Sequence, residues 1–375
     1  MIYLDNAATT AVHPDVIAEI AYQLDSHFGN PSSLYDLGLE SRKVIDRSRS
    51  VIARSLGCEP AEVYFTSCGT ESNNLAILGA ARARKKWGNK IVVSGFEHPS
   101  VQNTVSSLAD EGFEIVVVDP EPDGTLDLDK ILNVVDSKTV LVCCMRVNNE
   151  VGSMIDTPLL AKKVKMINRR TAFHCDAVQS FLKHSTDLNG MIDTLSISAH
   201  KIHGPKGIGA LYIRKGFNIS SVQFGGGQEK GLRSGTENVP YAAGFAKAVE
   251  LLRKNPYSSE KVQAVQDRLW EGIRYLPGII RNSPDHCTPF ILNISVCGIR
   301  SETVLHFLEE RGIYVSSGSA CSHGARSHTL EAMGINTDLI DSAIRFSFDG
   351  NNNLSEIDTV VNAVRDAVNT LERRG

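Results

Sequence analysis

Ser196-Ile197-Ser198-Ala199-His200-Lys201-Ile202-His203-Gly204-Pro205-Lys206-Gly207 runs a β-rich stretch into a lysine and closes it with a Gly-Pro turn. Lysines are mostly solvated surface groups. One that emerges from an apolar strand is a candidate Schiff-base lysine. The strand ending here, Thr194–Ser198, belongs to a series. Between about residues 60 and 215, β-rich runs at Val63–Thr66, Lys90–Val93, Glu114–Val118, Val140–Met145, Ala172–Cys175 and Ala210–Ile213 alternate with helical patterns at Glu71–Lys86, Ser100–Glu111 and Pro158–Asn168. Several runs are almost wholly apolar, as in strands covered on both faces. The alternation predicts an α/β fold with a mostly parallel sheet between helices.

Outward from that core, Asn238–Arg253 reads as a long helix, and Lys254-Asn255-Pro256 breaks it. Ser258-Ser259-Glu260 has the form of a helix start. The rest reads as a smaller α+β unit, with strands predicted at Ile291–Val296, Ile313–Ser316 and Ala343–Ser347 and an amphipathic helix over Leu354–Leu371. A length of 375 residues suits a large domain with a smaller one. The net charge of -4 gives no sign of a nucleic-acid or membrane surface. The N-terminus lacks a basic segment followed by an apolar one, and no apolar run approaches the roughly 20 residues that span a bilayer. A cytoplasmic protein is expected. None of the eight cysteines forms a Cys-x-x-Cys pair, so no metal site is expected.

Three more features fall at predicted strand ends. In Phe65-Thr66-Ser67-Cys68-Gly69-Thr70-Glu71-Ser72 a strand turns through small residues into a helix. The N–H groups of Gly69 and Thr70 would cradle a phosphate at the helix's positive end, although an ordinary N-cap explains the same residues. His98, in Glu97-His98-Pro99-Ser100, could stack on a flat ring or be merely structural. Asp176, in His174-Cys175-Asp176-Ala177-Val178-Gln179, could pair with a pyridinium nitrogen or simply cap a helix. Ligands of parallel α/β sheets bind beyond the carboxyl ends of the strands, and all four features lie there. Their joint occurrence says more than any one of them.

With these residues in hand, the chain resembles cysteine desulfurases of the NifS/IscS type, within the class V aminotransferase family of fold-type I pyridoxal-phosphate (PLP) enzymes. The resemblance runs from Leu4-Asp5-Asn6-Ala7-Ala8-Thr9-Thr10 to about Phe348. It includes Phe28-Gly29-Asn30-Pro31-Ser32-Ser33, Val147-Asn148-Asn149-Glu150, Arg233-Ser234-Gly235-Thr236 and Ser316-Ser317-Gly318-Ser319-Ala320-Cys321. It implies a large PLP-binding domain over 13–256 with a mainly parallel seven-stranded sheet, and a small α+β domain from 1–12 and 257–375. It implies that Lys201 carries PLP, that Asp176 pairs with the pyridine nitrogen, that Gln179 bonds the phenolic oxygen and that His98 stacks on the ring. Gly69, Thr70, Ser198 and His200 would hold the phosphate, with Thr236 reaching it from the second subunit of a homodimer. Asn149 and Arg345 would bind the substrate carboxylate, a task that suits a guanidinium fork.

The activity implied is removal of sulfur from L-cysteine. Lys201 takes the α-proton, the Cys321 thiolate attacks the substrate sulfur, and alanine leaves a persulfide on Cys321 for a sulfur-acceptor protein of iron–sulfur assembly or thio-modification. Positive neighbours would favour the thiolate, and His323, Arg326 and His328 are near in sequence. The chain departs from the resemblance at Arg146, where a small residue or histidine is usual. It departs again in a shorter loop after Cys321, and it ends at Gly375 without the tail that scaffold-binding members carry. The shorter loop is expected to order Ser322–His328, with Cys321 at the pocket rim. Selenocysteine lyase chemistry is the nearest alternative. A class V transaminase or epimerase would not need Cys321. A dinucleotide oxidoreductase would need a Gly-x-Gly-x-x-Gly turn, which Gly225-Gly226-Gly227 does not supply.

Overall fold

The structure, a computed structural model, describes residues 1–317 and 326–372. Its strands in chain order are β1 (Ile2–Tyr3), β2 (Val63–Thr66), β3 (Lys90–Ser94), β4 (Glu114–Val118), β5 (Thr139–Cys143), β6 (Ala172–Asp176), β7 (Thr194–Ser198), β8 (Gly209–Ile213), β9 (Ile279–Arg281), β10 (Ile291–Val296), β11 (Ile313–Tyr314), β12 (Ser316–Ser317) and β13 (Ala343–Ser347). Strands β2 to β8 form one seven-stranded sheet in the order β2-β8-β7-β6-β5-β3-β4. Only β8 runs against the others, pairing antiparallel with both β2 and β7. Six carboxyl ends therefore lie along one edge.

The strands β5 to β8 are buried along their whole length, which is why they read as continuous apolar runs and not as alternating ones. One apolar cluster gathers Val92, Val142, Phe173 and Ile197 with helix residues such as Leu160 and Phe245. Another gathers Ile91, Leu141 and Leu211 with Ile77 and Val101. Alternate residues of each strand thus feed opposite faces of the sheet.

A second sheet, β12-β13-β10-β9, is antiparallel throughout. The helices Ser259–Ile273 and Leu354–Thr370 bury Val262, Leu269, Val360 and Val364 against it in a third cluster. A Cβ at Gly272 would stand 2.6 Å from Val361 Cγ2, so glycine sets how closely these helices approach.

Two results differ from the sequence reading. The stretch Ile313–Ser316 is two strands in different sheets: β11 pairs parallel with β1, and β12 pairs antiparallel with β13. The chain changes partners at Val315, which apolarity alone does not mark. The helices Pro14–Ser26 and Asp36–Leu56 carry exposed Ile17, Leu24, Leu37 and Leu39, which blur their apolar stripe.

The N-terminal segment joins the two sheets. After β1, Asp5 bridges to Ser347 of β13, and Ala7 N–H donates to Ser347 Oγ at 2.8 Å. A few residues on, Thr10 N–H donates to the His200 carbonyl at 2.9 Å and His13 N–H to that of His203 at 3.0 Å. Residues 7–10 thereby cross directly over Lys201.

Candidate active site

Beyond the carboxyl ends of β2, β3, β5, β6 and β7, under that crossing segment, lies a cavity of about 260 Å³. Gly69, Thr70, His98, Asn149, Asp176, Gln179, Ser198, His200, Lys201 and Arg345, all singled out from the sequence, line it. Thr236 does not line it and is exposed. Cys321 and His323 lie outside the described residues. A larger crevice of about 490 Å³, between residues 122–126 and 281–286, contains none of the predicted residues. Chemistry, not size, selects the smaller cavity.

At one end the helix Gly69–Arg84 begins from Cys68, whose backbone is extended. The first N–H groups of a helix have no partner within it, and here they open beside Ser198 and His200. A Cβ on Gly69 would come 2.7 Å from Val178 Cγ2, so only glycine lets the helix start this close to the exit of β6. Ser198 Oγ is buried with no hydrogen-bond partner among the described residues. Burial, reinforced by the charges of Lys201 and Lys206, pushes His200 down to about 3. It is a neutral imidazole, and its Nδ1 faces Thr9 Oγ1 at 3.2 Å.

Along the floor, Asp176 closes β6. Its Oδ1 accepts from Val178 N–H at 2.9 Å and its Oδ2 from Asn73 Nδ2 at 2.8 Å. Gln179 Nε2 donates to the Ala7 carbonyl at 2.8 Å, and its Oε1 is buried without a partner among the described residues. Lys201 Nζ donates to the carbonyls of Ala7 at 2.5 Å and Ala8 at 2.8 Å. His98 caps the helix Pro99–Ser107: its Nδ1 accepts from Ser100 N–H at 3.1 Å and faces Ser100 Oγ at 2.8 Å. Burial, with Lys201 nearby, lowers its pKa despite the opposing charge of Asp176. The capping role and the place at the cavity are therefore held by the same ring.

At the far end, Arg345 is buried on β13. It bonds Asp5 and the Asn149 carbonyl and leaves Nε without a partner among the described residues. The ion pair of Arg345 with Asp5 is thus held largely inside the protein and not on its surface. Arg146, the departure noted in the sequence, donates to the Ile155 carbonyl at 2.8 Å and does not line the cavity.

Four contributors were not legible as site residues: the Ala7 and Ala8 carbonyls, Asn73 and Ser100. Asn73 carried a faint signal, because it follows Gly69 by four positions and so shares its helix face.

The chain is similar to known proteins over nearly its whole length. The class-V aminotransferase family model matches residues 2–360. The cysteine desulfurase IscS of Clostridium botulinum is 37% identical over 368 residues, covering 96% of this chain and 92% of that protein. The one from Methanosarcina thermophila is 37% identical over 375 residues, covering 99% and 92%. Among solved structures, a NifS-like protein superposes with a TM-score of 0.92 at 35% identity, covering 99% of this chain and all of that one. SspA in complex with cysteine gives 0.81 at 33%, covering 93% and 99%.

Proposed function

This chain belongs to the class-V aminotransferase family, and from that premise we propose how its residues divide the work of a cysteine desulfurase. The protein is a PLP-dependent enzyme that takes sulfur from cysteine. The observation that carries the assignment is the convergence of Lys201, Asp176, Gln179 and Arg345 on one cavity.

The residues fit the cofactor. Free N–H groups of the helix start and the unpartnered Ser198 Oγ suit a phosphate. The carboxylate of Asp176 and the unpartnered Gln179 Oε1 suit the polar edges of a pyridine ring. Lys201 would hold the cofactor covalently, and His98 would lie against its face. Bound there, PLP supplies a sink for the electrons left at the substrate's α-carbon.

The chain's own groups do the rest. Arg345 and Asn149 hold the substrate carboxylate and so fix the α-carbon within reach of Lys201 Nζ. Lys201, as the neutral amine, takes the α-proton. The Cys321 thiolate attacks the substrate sulfur. An S–S bond forms on Cys321 as the substrate's C–S bond breaks, and the carbon fragment is reprotonated to alanine. The persulfide passes to an acceptor protein in iron–sulfur assembly or thio-modification.

The working unit proposed is a homodimer of chains with a large domain over 13–256 and a small one from 1–12 and 257–375. Thr236 is exposed and stands apart from its own chain's cavity, in keeping with a phosphate contact made to the second subunit. The exposed Phe28, Leu34, Tyr35 and Phe224 are apolar surface of the kind that such an interface covers. Among the described residues no helix is long and apolar enough to cross a membrane.

The test is direct: incubate the purified, PLP-loaded protein with L-cysteine and a thiol reductant. Equal amounts of alanine and sulfide are expected, and no alanine above the protein-free control would reject the assignment.

A further inference from the structure

Asn73 is 1% exposed and touches the cavity from the second turn of the helix Gly69–Arg84. Its Nδ2 donates to Asp176 Oδ2 at 2.8 Å and to Ser100 Oγ at 2.9 Å, which uses both amide hydrogens. On its other side, Asn73 Oδ1 faces His174 Nε2 at 3.0 Å, and His174 Nδ1 faces Thr194 Oγ1 at 2.9 Å. His174 is fully buried on β6, and burial pushes its imidazole down to about 3. It is neutral and carries one ring proton.

The direction of every bond then follows from what each atom can do. An amide oxygen only accepts, so the His174 proton is on Nε2 and points at Asn73. The Thr194 hydroxyl donates to Nδ1. Rotating the Asn73 amide by half a turn would set its oxygen against the acceptor-only Asp176 carboxylate and, with the His174 proton kept on Nε2, its NH₂ against that N–H. Both changes are repulsive, and both would occur where water cannot relieve them.

We propose that Asn73 is a positioning residue: His174 locks its amide so that the NH₂ end faces Asp176, and the carboxylate is thereby aimed for the ring nitrogen of the cofactor. The polarity runs one way from Thr194 through His174 and Asn73 to Asp176. His174 thus acts two residues upstream of Asp176 on the same strand, yet reaches it across the sheet-to-helix gap. The aim at the cofactor rests on the functional reading above; the lock itself does not.

The lock is read by ¹⁵N NMR of the histidine-labelled protein, before and after PLP is added, with His174 assigned from the spectrum of His174→Gln. A neutral ring with its proton on Nε2 is expected in both. A proton on Nδ1, or a charged ring, overturns the proposal whether or not PLP binds. If instead the wild type gains no coenzyme absorption band, the functional reading falls and the lock is still decided by the histidine spectrum.

The consequence for the cofactor is read as its dissociation constant. Asn73→Ala should raise it about tenfold or more, as the loss of one buried bond to a charged group does. Asn73→Asp, nearly isosteric and set against Asp176, should raise it further and serves if the alanine variant does not fold. His174→Gln keeps an N–H to offer and should bind PLP like the wild type, whereas His174→Leu should weaken it. Equal PLP affinity in wild type and both Asn73 variants, or equal effects of Gln and Leu at 174, would overturn the role, because a merely structural histidine would lower stability in both without separating their cofactor affinities.

Discussion

The Asp5 carboxylate accepts a hydrogen bond from Arg345 Nη2 at 2.8 Å, although 340 positions separate them in sequence. The guanidinium proposed to receive the substrate carboxylate is therefore already held on one side, with Nη1 on the Asn149 carbonyl. It is aimed, not swinging, and its planar fork is what a carboxylate meets. Arg345→Lys keeps the charge and loses the fork. Its KM for cysteine should rise about tenfold or more, the worth of a bond between charged groups, while the absorption of bound PLP stays as in the wild type. An unchanged KM would place the carboxylate elsewhere.

Lys201 Nζ sits on the Ala7 and Ala8 carbonyls inside the cavity. Lys201→Ala should still take up PLP through the phosphate donors. After borohydride treatment it should carry no covalent cofactor by mass spectrometry, and it should make no alanine. A reducible adduct in that variant would show that another amine holds the cofactor.

Cys321→Ser should bind PLP and cysteine with wild-type spectra yet form neither alanine nor persulfide. Retained turnover would move the nucleophile. Cys175 is a poor substitute, since burial pushes its thiol up to about 12.

Glu97 gives a pH prediction. Its Oε1 accepts from Ser94 Oγ and from Met145 N–H, each at 2.6 Å, and its Oε2 is buried without a partner among the described residues. Burial pushes this carboxyl up from 4.5 to about 8. Between those values the folded chain keeps a proton that the unfolded chain has lost. Stability from this residue is thus full below about pH 4.5 and falls as pH rises toward 8. Glu97→Gln should match the wild type near pH 5 and be more stable by about 2–4 kcal/mol near pH 9, because each tenfold change in proton affinity on folding is worth about 1.4 kcal/mol. Urea unfolding of both proteins across that range measures the difference, and parallel stability curves would refute it.

The shared site predicts complementation. Lys201→Ala and Thr236→Ala homodimers, unfolded together and refolded as a mixture, should regain activity if Thr236 serves the opposite subunit. One face of each mixed dimer then keeps both residues intact, while the other lacks both. No gain over the separate proteins, or a monomer by sedimentation, would count against the dimer.

What could be seen in the sequence was what repeats or ends abruptly. The buried strands announced themselves through apolar continuity, and Asp176 and Lys201 through polarity at the last step of such runs. Gly69 was readable from its place in a turn of small residues between a strand and a helix, whereas the Val178 contact that demands glycine there was not. The unread parts are bonds made by groups every residue has, or by residues whose partners lie far off. The Ala7 and Ala8 carbonyls carry no side-chain signal at all. Asn73 becomes meaningful only once β6 brings His174 and Asp176 to it from more than a hundred positions away. The split of Ile313–Ser316 between two sheets is likewise decided by β1 and β13, not by its own residues.

The crossing of residues 7–10 over Lys201 bears on how the enzyme is made. Its anchor is Ser347 on β13: Ala7 N–H bonds its hydroxyl and the Leu4 carbonyl accepts from its backbone N–H. Residues 4–10 leave the ribosome long before β13 exists, and domains close N-terminal parts first where they can. Here Ala7 must wait for Ser347, 340 positions further on, before it can be fixed, and closing so long a loop is slow. The roof over the lysine is therefore completed only after β13 has been synthesised. A product that stops short of β13 would have its large sheet and its lysine but not the two carbonyls held above it, so the reactive amine reaches its working environment only once β13 is in place.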